Sequence, residues 1–273
     1  ILFPHKKISP VQQRQMTTSN AKNVFPLAVK GDFDDCQNYV KKIFLEEENK
    51  NVRFVSINSI NWTRIMAQSV YFFYTKLKIE RDFNASIPSG NFGHAYAGWT
   101  AKNMGLSFKG INVATNKNDV LHQLFLNNIY EQKEATSSLA PSMDISVASN
   151  FERLLFEIYE KDGKVLNSLF SSFPAKPIKF DDLPGDAWQN VKDFFQSSSC
   201  NDEDIINTIV ENFDKENLLF DPHTATAIKG NRDLNYDLSE VVTFATAHPA
   251  KFPEAINAKL DVLDKNTPSK LKE

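Results

Sequence analysis

Apolar positions along the chain recur at two spacings that take turns. Helical spacing begins at Ser9-Pro10-Val11-Gln12, where a hydroxyl, a proline of pre-set φ and a glutamine three residues after the cap predict a short helix to about Met16. The run Val24 to Val29 is strand-like, with Pro26 marking an edge or bulge. Gly31-Asp32 then closes that strand and caps a helix whose face is Cys36, Val40, Ile43 and Phe44. The same grammar repeats. Arg53 to Ser56 predicts a short strand, and Trp62, Ile65, Met66, Ser69, Phe73 and Leu77 predict a long amphipathic helix. Phe83 to Ile87 is the next strand, followed by the loop Pro88-Ser89-Gly90-Asn91-Phe92-Gly93 and a helix of small residues through Ala101. A strand over Phe108 to Ala114 and a helix near Asn118 to Phe125 complete the series.

Strand, short loop, helix, strand is the pattern of an α/β fold: an open, mainly parallel sheet flanked by helices. From Ser149 the pattern changes. Ser149-Asn150-Phe151-Glu152 reads as a capping box, and Phe151, Leu154, Leu155, Ile158 and Tyr159 form the inner stripe of a helix stopped at Gly163. Residues up to about Phe213 read mainly as helices broken at Pro174, Pro177 and Pro184-Gly185. A strand returns at Val241 to Ala245, a helix follows Pro249 and Pro253, and Lys265 to Glu273 reads as frayed. The expected division is an α/β part over 1–148, a mainly helical segment over 149–220, and a final strand and helix over 221–273 that complete the α/β domain.

Composition narrows the function. The 273 residues are 41% hydrophobic and 12% aromatic, enough for a sizeable core. Thirty-one basic against 34 acidic residues leave a net charge of −3, too balanced for a protein whose main partner is nucleic acid. Cys36 and Cys200 have no neighbour at metal-ligand or disulfide spacing, which fits a reducing, cytoplasmic compartment. No run approaches the roughly 18 to 20 apolar residues of a membrane span. The histidines His5, His94, His122, His223 and His248 are scattered singly, so no metal site is expected. The chain opens without Met, directly in an apolar run ending at Pro4, and reads as a piece that begins in the tail of a strand.

The chemistry lies in Ser89-Gly90-Asn91-Phe92-Gly93-His94, where a strand feeds a helix. Its two glycines let the backbone turn tightly and approach a ligand without interference from Cβ. Successive amides there converge on one point, aided by the helix N-terminus with about half an elementary positive charge. An ordinary tight turn has the same glycines. The Gly-x-x-Gly spacing is neither a dinucleotide fingerprint nor a P-loop, which leaves a phosphorylated cofactor or substrate open.

Six ordered stretches resemble the threonine synthase family: Ser59-Ile60-Asn61-Trp62, Pro88 to Gly93, Pro141-Ser142-Met143-Asp144-Ile145, Ser149 to Arg153, Asp221-Pro222-His223-Thr224 and Thr246 to Phe252. The resemblance implies a fold-type II lyase of threonine biosynthesis, similar in fold to the tryptophan synthase β chain. Such an enzyme converts O-phospho-L-homoserine and water to L-threonine and phosphate with pyridoxal 5'-phosphate (PLP). By position, Ser89, Gly90, Asn91, Phe92, Gly93 and His94 inherit the cofactor phosphate, and Thr246 the pyridine nitrogen, to which a hydroxyl offers a hydrogen bond without a strong acid. His94 departs from the aspartate or asparagine usual in the family. The Phe-Lys-Asp segment whose lysine holds the cofactor covalently does not occur, and Lys251, in the carboxy-terminal motif, is not its substitute. The chain therefore reads as the carboxy-terminal portion, inactive without the amino-terminal segment of the same protein. Substrate candidates are Ser9, Arg14 and Gln15 after the first strand, together with Asn58, Ser59 and Asn61. Solvated helix faces and helix caps explain the same residues without function. Two alternatives remain at this stage: a non-catalytic relative that binds a phosphorylated metabolite, and a nucleotide-binding α/β module.

Overall fold

The computed structural model describes residues 1–31, 33–46, 54–55, 59–183, 185–263 and 267–268. The chain divides into two compact units, Ile1–Asn58 and Ser59–Glu273. This boundary differs from the expected division at 148/149 and 220/221.

In the first unit, β1 (Leu2–Pro4) and β2 (Leu27–Val29) pair in parallel, Leu2 opposite Leu27. Between them runs α1 (Pro10–Thr17), closed by the expected capping box: Gln12 N donates to Ser9 Oγ at 3.2 Å and Ser9 N to Gln12 Oε1 at 3.1 Å. In α2 (Phe33–Leu45) Cys36 is buried and Val40 half-buried, but Ile43 and Phe44 are exposed, so the expected apolar face is only partly covered. The expected cap Asp32 lies outside the described residues. So do Arg53 and Ser56, the ends of an expected strand; Phe54 and Val55 between them are irregular.

The second unit opens with α3 (Trp62–Ile79), whose first turn is capped by Asn61 Oδ1 accepting from Thr63 N at 2.8 Å. It continues through β3 (Asn84–Pro88), α4 (Gly93–Asn103), β4 (Gly110–Thr115), α5 (Val120–Asn127) and β5 (Ile129–Tyr130). Next come α6 (Phe151–Ile158), α7 (Gly163–Phe170), β6 (Ile178–Lys179) and α8 (Gln189–Lys192). The chain then forms β7 (Phe195–Ser199), α9 (Asp202–Glu216), α10 (Pro222–Asp233), β8 (Val241–Thr243) and α11 (Pro253–Asn257). Four strands make one parallel sheet in the order β7-β4-β3-β8. Among the described residues no helix is long and apolar enough to cross a membrane.

The core explains most of these elements. Both faces of β4 are covered, so its apolar run is nearly continuous, as buried parallel strands require. One cluster joins Phe72, Phe83, Phe92, Phe108, Phe125, Phe151, Trp188 and Phe195. Against this cluster α4 presents Gly98, where a Cβ would lie 2.7 Å from Phe72 and from Ile111. Elsewhere a polar belt crosses the sheet: Asn112 donates to Ser86 Oγ at 3.0 Å and accepts from Ser198 Oγ at 3.2 Å. Gly230 lets α10 lie on this belt, since a Cβ there would come within 2.1 Å of Ser198 Oγ.

Three expectations need correction. The segment 149–220 holds β7, an edge strand of the main sheet, inside what reads as helices. In α3 Ile65 and Ser69 are buried as expected and Phe72 joins them, while Trp62 and Leu77 are exposed. Gly163 opens α7; α6 ends at Ile158, and the chain leaves it through Glu160 and Lys161 at φ 56° and 61°.

Candidate functional site

The loop at the carboxyl end of β3 is built to leave donors free. Ser89 N continues the ladder by donating to Ala114 O at 2.8 Å, and Phe92 N closes a tight turn on Gly90 O at 2.9 Å. Phe92 sits at φ 63°, a conformation that disfavours a side chain by roughly 1–2 kcal/mol. Its ring offsets this, being fully buried with Phe125, Phe151 and Phe195 at centroid distances of 6.2, 5.7 and 5.5 Å. The first helical bond of α4 is Tyr96 N to Phe92 O. The amides of Gly90, Asn91, Gly93 and His94 therefore donate to no protein group among the described residues. The expectation of successive free amides is corrected to this set, since those of Ser89 and Phe92 are engaged. Ser89 instead supplies its hydroxyl, which is buried at 4% exposure without a hydrogen-bond partner.

The cradle has backbone walls. A Cβ on Gly90 would lie 3.0 Å from Ser142 O and 3.1 Å from Met143 Cα, and one on Gly93 3.3 Å from Asn150 Nδ2. Asn91 is tied down from outside: Ser149 Oγ donates to its Oδ1 at 3.1 Å, and Asn150 N and Nδ2 both donate to its carbonyl at 3.1 Å. Asn150 Nδ2 also donates to Ser59 O at 3.0 Å, while its Oδ1 accepts from Arg153 Nε at 3.1 Å. Arg153 Nη2 donates to Ile60 O at 2.7 Å. The expected capping box at Ser149 is thus not formed; Asn150 caps nothing, because both residues are spent on locking the loop.

His94 adds no charge to this cradle. Its ring meets those of Tyr71, Phe72 and Phe244 at 5.8, 5.4 and 5.2 Å, its Nε2 is buried without a partner, and burial pushes its pKa down to about 4. Thr246 lies three residues beyond β8, whose ladder extends as Phe244 N donates to Ser86 O at 3.0 Å. It therefore stands at the same sheet end as Ser89. Its side chain is exposed, and its amide donates to Thr224 Oγ1 at 3.1 Å.

The remaining candidates scatter. Ser9 is occupied as a helix cap, and Arg14 and Gln15 are exposed on α1, all three in the first unit. Asn58 lies outside the described residues. Ser59 is brought to the loop through Asn150, and Asn61 serves as the cap of α3.

Sequence comparison decides the family. The chain is 43% identical over 262 residues to threonine synthase of Pseudomonas aeruginosa, across 94% of this chain and 55% of that protein. It is 37% identical over 283 residues to the Saccharomyces cerevisiae enzyme, across 95% of this chain and 55% of that one. The chain belongs to the threonine synthase family. It spans about half the length of the curated threonine synthases it matches. A sequence model described as "Threonine synthase, C-terminal" matches residues 224–273. A crystal structure of PLP-bound threonine synthase from Brucella melitensis superposes with a TM-score of 0.83 at 38% identity, covering 94% of this chain and 56% of that one. The open parallel sheet flanked by helices is thus that of threonine synthases, the expected fold type II. Asp221, His223 and Thr224, whose stretch carried only the family resemblance, form the capped start of α10.

Proposed function

We propose that the chain forms the phosphate-holding and ring-facing side of a PLP site in a cytoplasmic threonine synthase, which converts O-phospho-L-homoserine and water to L-threonine and phosphate. The observation that carries this is the buried, unpartnered hydroxyl of Ser89 beside the unengaged amides of Gly90, Asn91, Gly93 and His94. Such a set fits a phosphate ester: several donors, a helix N-terminus, and glycines where a Cβ would fill the space. These five residues would hold the phosphate, with the Phe92 side chain as the loop's anchor rather than a contact. Thr246 would offer its hydroxyl to the pyridine nitrogen.

When bound, the cofactor would supply an electron sink for the electron pair left on carbon as a proton departs beside the substrate's amine. This chain's residues contribute binding and orientation. A neutral His94 leaves the helix N-terminus as the local positive field, and a neutral Thr246 hydroxyl keeps the ring nitrogen from being fully protonated. The lysine that holds the cofactor is assigned to the part of the relatives' length this chain does not span, since no Phe-Lys-Asp segment occurs in it. Of the substrate candidates, Ser59, held beside the loop by Asn150, is preferred over Asn61, which caps α3.

The test is a PLP titration of the full-length protein by absorbance, with Ser89→Ala alongside wild type. Losing a hydrogen bond to a charged group costs about 1.5–3 kcal/mol, so Kd should rise roughly 10- to 100-fold. Threonine and phosphate should form from O-phospho-L-homoserine. A Ser89→Ala protein that binds PLP like wild type removes the loop assignment.

A further inference from the structure

We propose that Asp221 is a positioning residue whose two carboxylate oxygens separately set the two ends of the site: the wall of the phosphate loop and the strand end that carries Thr246. The inference rests on the PLP reading above. Asp221 is 1% exposed at the N-cap of α10. Its Oδ1 accepts from His223 N at 3.0 Å, Thr224 N at 3.4 Å and His223 Nδ1 at 2.9 Å; its Oδ2 accepts from Thr224 Oγ1. Capping a helix needs one oxygen. The second oxygen and both partner side chains point to a further role.

The first arm runs through His223. Its Nε2 accepts from Ser142 N at 3.1 Å, and a backbone N–H can only donate, so the ring proton must sit on Nδ1, toward Asp221. Phe252 packs on the ring at 4.4 Å and fixes its plane. Ser142 is the residue whose carbonyl walls the loop, 3.0 Å from where a Cβ of Gly90 would be. The second arm runs through Thr224. Its Oγ1 donates to Asp221 and accepts from Thr246 N at 3.1 Å, which fixes the backbone of the residue proposed to face the ring nitrogen.

The His223 arm reaches the phosphate loop through Ser142 and Gly90, the Thr224 arm ends on Thr246 itself, and the two side chains meet at Asp221. The carboxylate therefore sets the distance between phosphate cradle and ring-nitrogen partner, a length that the cofactor's own dimensions dictate. Burial alone would raise the acid's pKa, but the hydrogen bonds from His223 and Thr224 outweigh it and hold the group below its ordinary value, as an ionised acceptor.

Two variants of the full-length protein separate the arms. Thr224→Val keeps shape and removes the hydroxyl; His223→Phe keeps a ring against Phe252 and removes both nitrogens. In the cofactor-free protein, Thr224→Val should speed hydrogen exchange of the Thr246 amide at least tenfold and leave that of Ser142 unchanged; His223→Phe should do the reverse. With PLP bound, Thr224→Val should shift the absorbance maximum and spare the phosphorus-31 resonance. His223→Phe should shift the phosphorus resonance and spare the absorbance. Thr224→Ser should restore wild-type behaviour. The proposal is overturned if the two variants give the same pattern, whether both ends move or neither. Wild-type protein that binds no PLP would sink the functional reading, while the exchange arms would still decide the positioning role.

Discussion

Replacing Gly90 by alanine tests whether the cradle is held rigid by its neighbours. The added methyl would sit 3.0 Å from Ser142 O and 3.1 Å from Met143 Cα, both backbone atoms. That backbone cannot retreat cheaply, because Ser142 N is bound to His223 at 3.1 Å and Met143 N to Ala140 O at 3.0 Å. Overpacking of this kind costs about 1–3 kcal/mol. Without ligand the loop relieves part of it by swinging away from Ser142. A bound phosphate forbids the swing, since the amides of Gly90 and Asn91 must keep their aim. Most of the strain therefore falls on binding, and Kd for PLP should rise roughly 5- to 100-fold at 1.4 kcal/mol per tenfold. Gly93→Ala is the control: its methyl meets the Asn150 side chain at 3.3 Å and Ser59 O only at 3.8 Å, so less than about 5-fold is expected. Absorbance titration of both variants, with urea unfolding of the cofactor-free proteins, supplies the numbers. Wild-type affinity in Gly90→Ala, or a larger loss in Gly93→Ala, would refute the reasoning.

Asn150→Ala should lower unfolding stability by about 2–4 kcal/mol in urea titration, because it strips Ser59 O and Arg153 Nε of buried partners. The His94 ring protonates near pH 4 when folded and about 6.5 when unfolded, so the unfolded state binds more protons between those values and stability falls as pH falls. From pH 7 to 5 this amounts to about 2 kcal/mol, and urea midpoints of His94→Phe should show a correspondingly shallower loss. Burial pushes the Cys200 thiol up to about 12, so alkylation read by mass spectrometry at pH 8 should spare it until the protein is unfolded.

The sequence signalled those parts of the fold where one physical rule acts alone. Ser9 and Gln12 form the capping box they spell, and the apolar runs at Phe83 to Ile87 and Phe108 to Ala114 become the central strands within one or two residues. It misled where two rules compete. Phe-Gln-Ser-Ser-Ser does not read as a strand, because the polar belt of Ser86, Asn112 and Ser198 replaces the apolar side chains that periodicity detects. In α3 the expected face holds at Ile65 and Ser69, but Phe72 completes the buried stripe while Trp62 and Leu77, which share the apolar spacing, are exposed. The glycine pair was legible as a close approach of backbone to something. Which amides stay free depends on Ala114 and Gly90 carbonyls that no local pattern reveals.

Ser149-Asn150 carries the deeper lesson, since its sequence is that of a helix cap and its side chains are used elsewhere. A capped α6 would cost Asn91 its side-chain ties to Ser149 Oγ and Asn150 Nδ2, leaving the Asn150 amide and the Phe92 ring to hold the loop. The cap bond is worth about 1 kcal/mol, and the fold forgoes it to fix a loop that must present donors without filling them. Gly90, Asn91, Gly93 and His94 are each partly exposed. The Ser89 hydroxyl is shut away from water without a partner and can donate, which makes it a group that gains when an anion arrives. Binding thus gives an acceptor to four amides and satisfies an orphan at the fifth group, with little reorganisation of a loop already locked from behind.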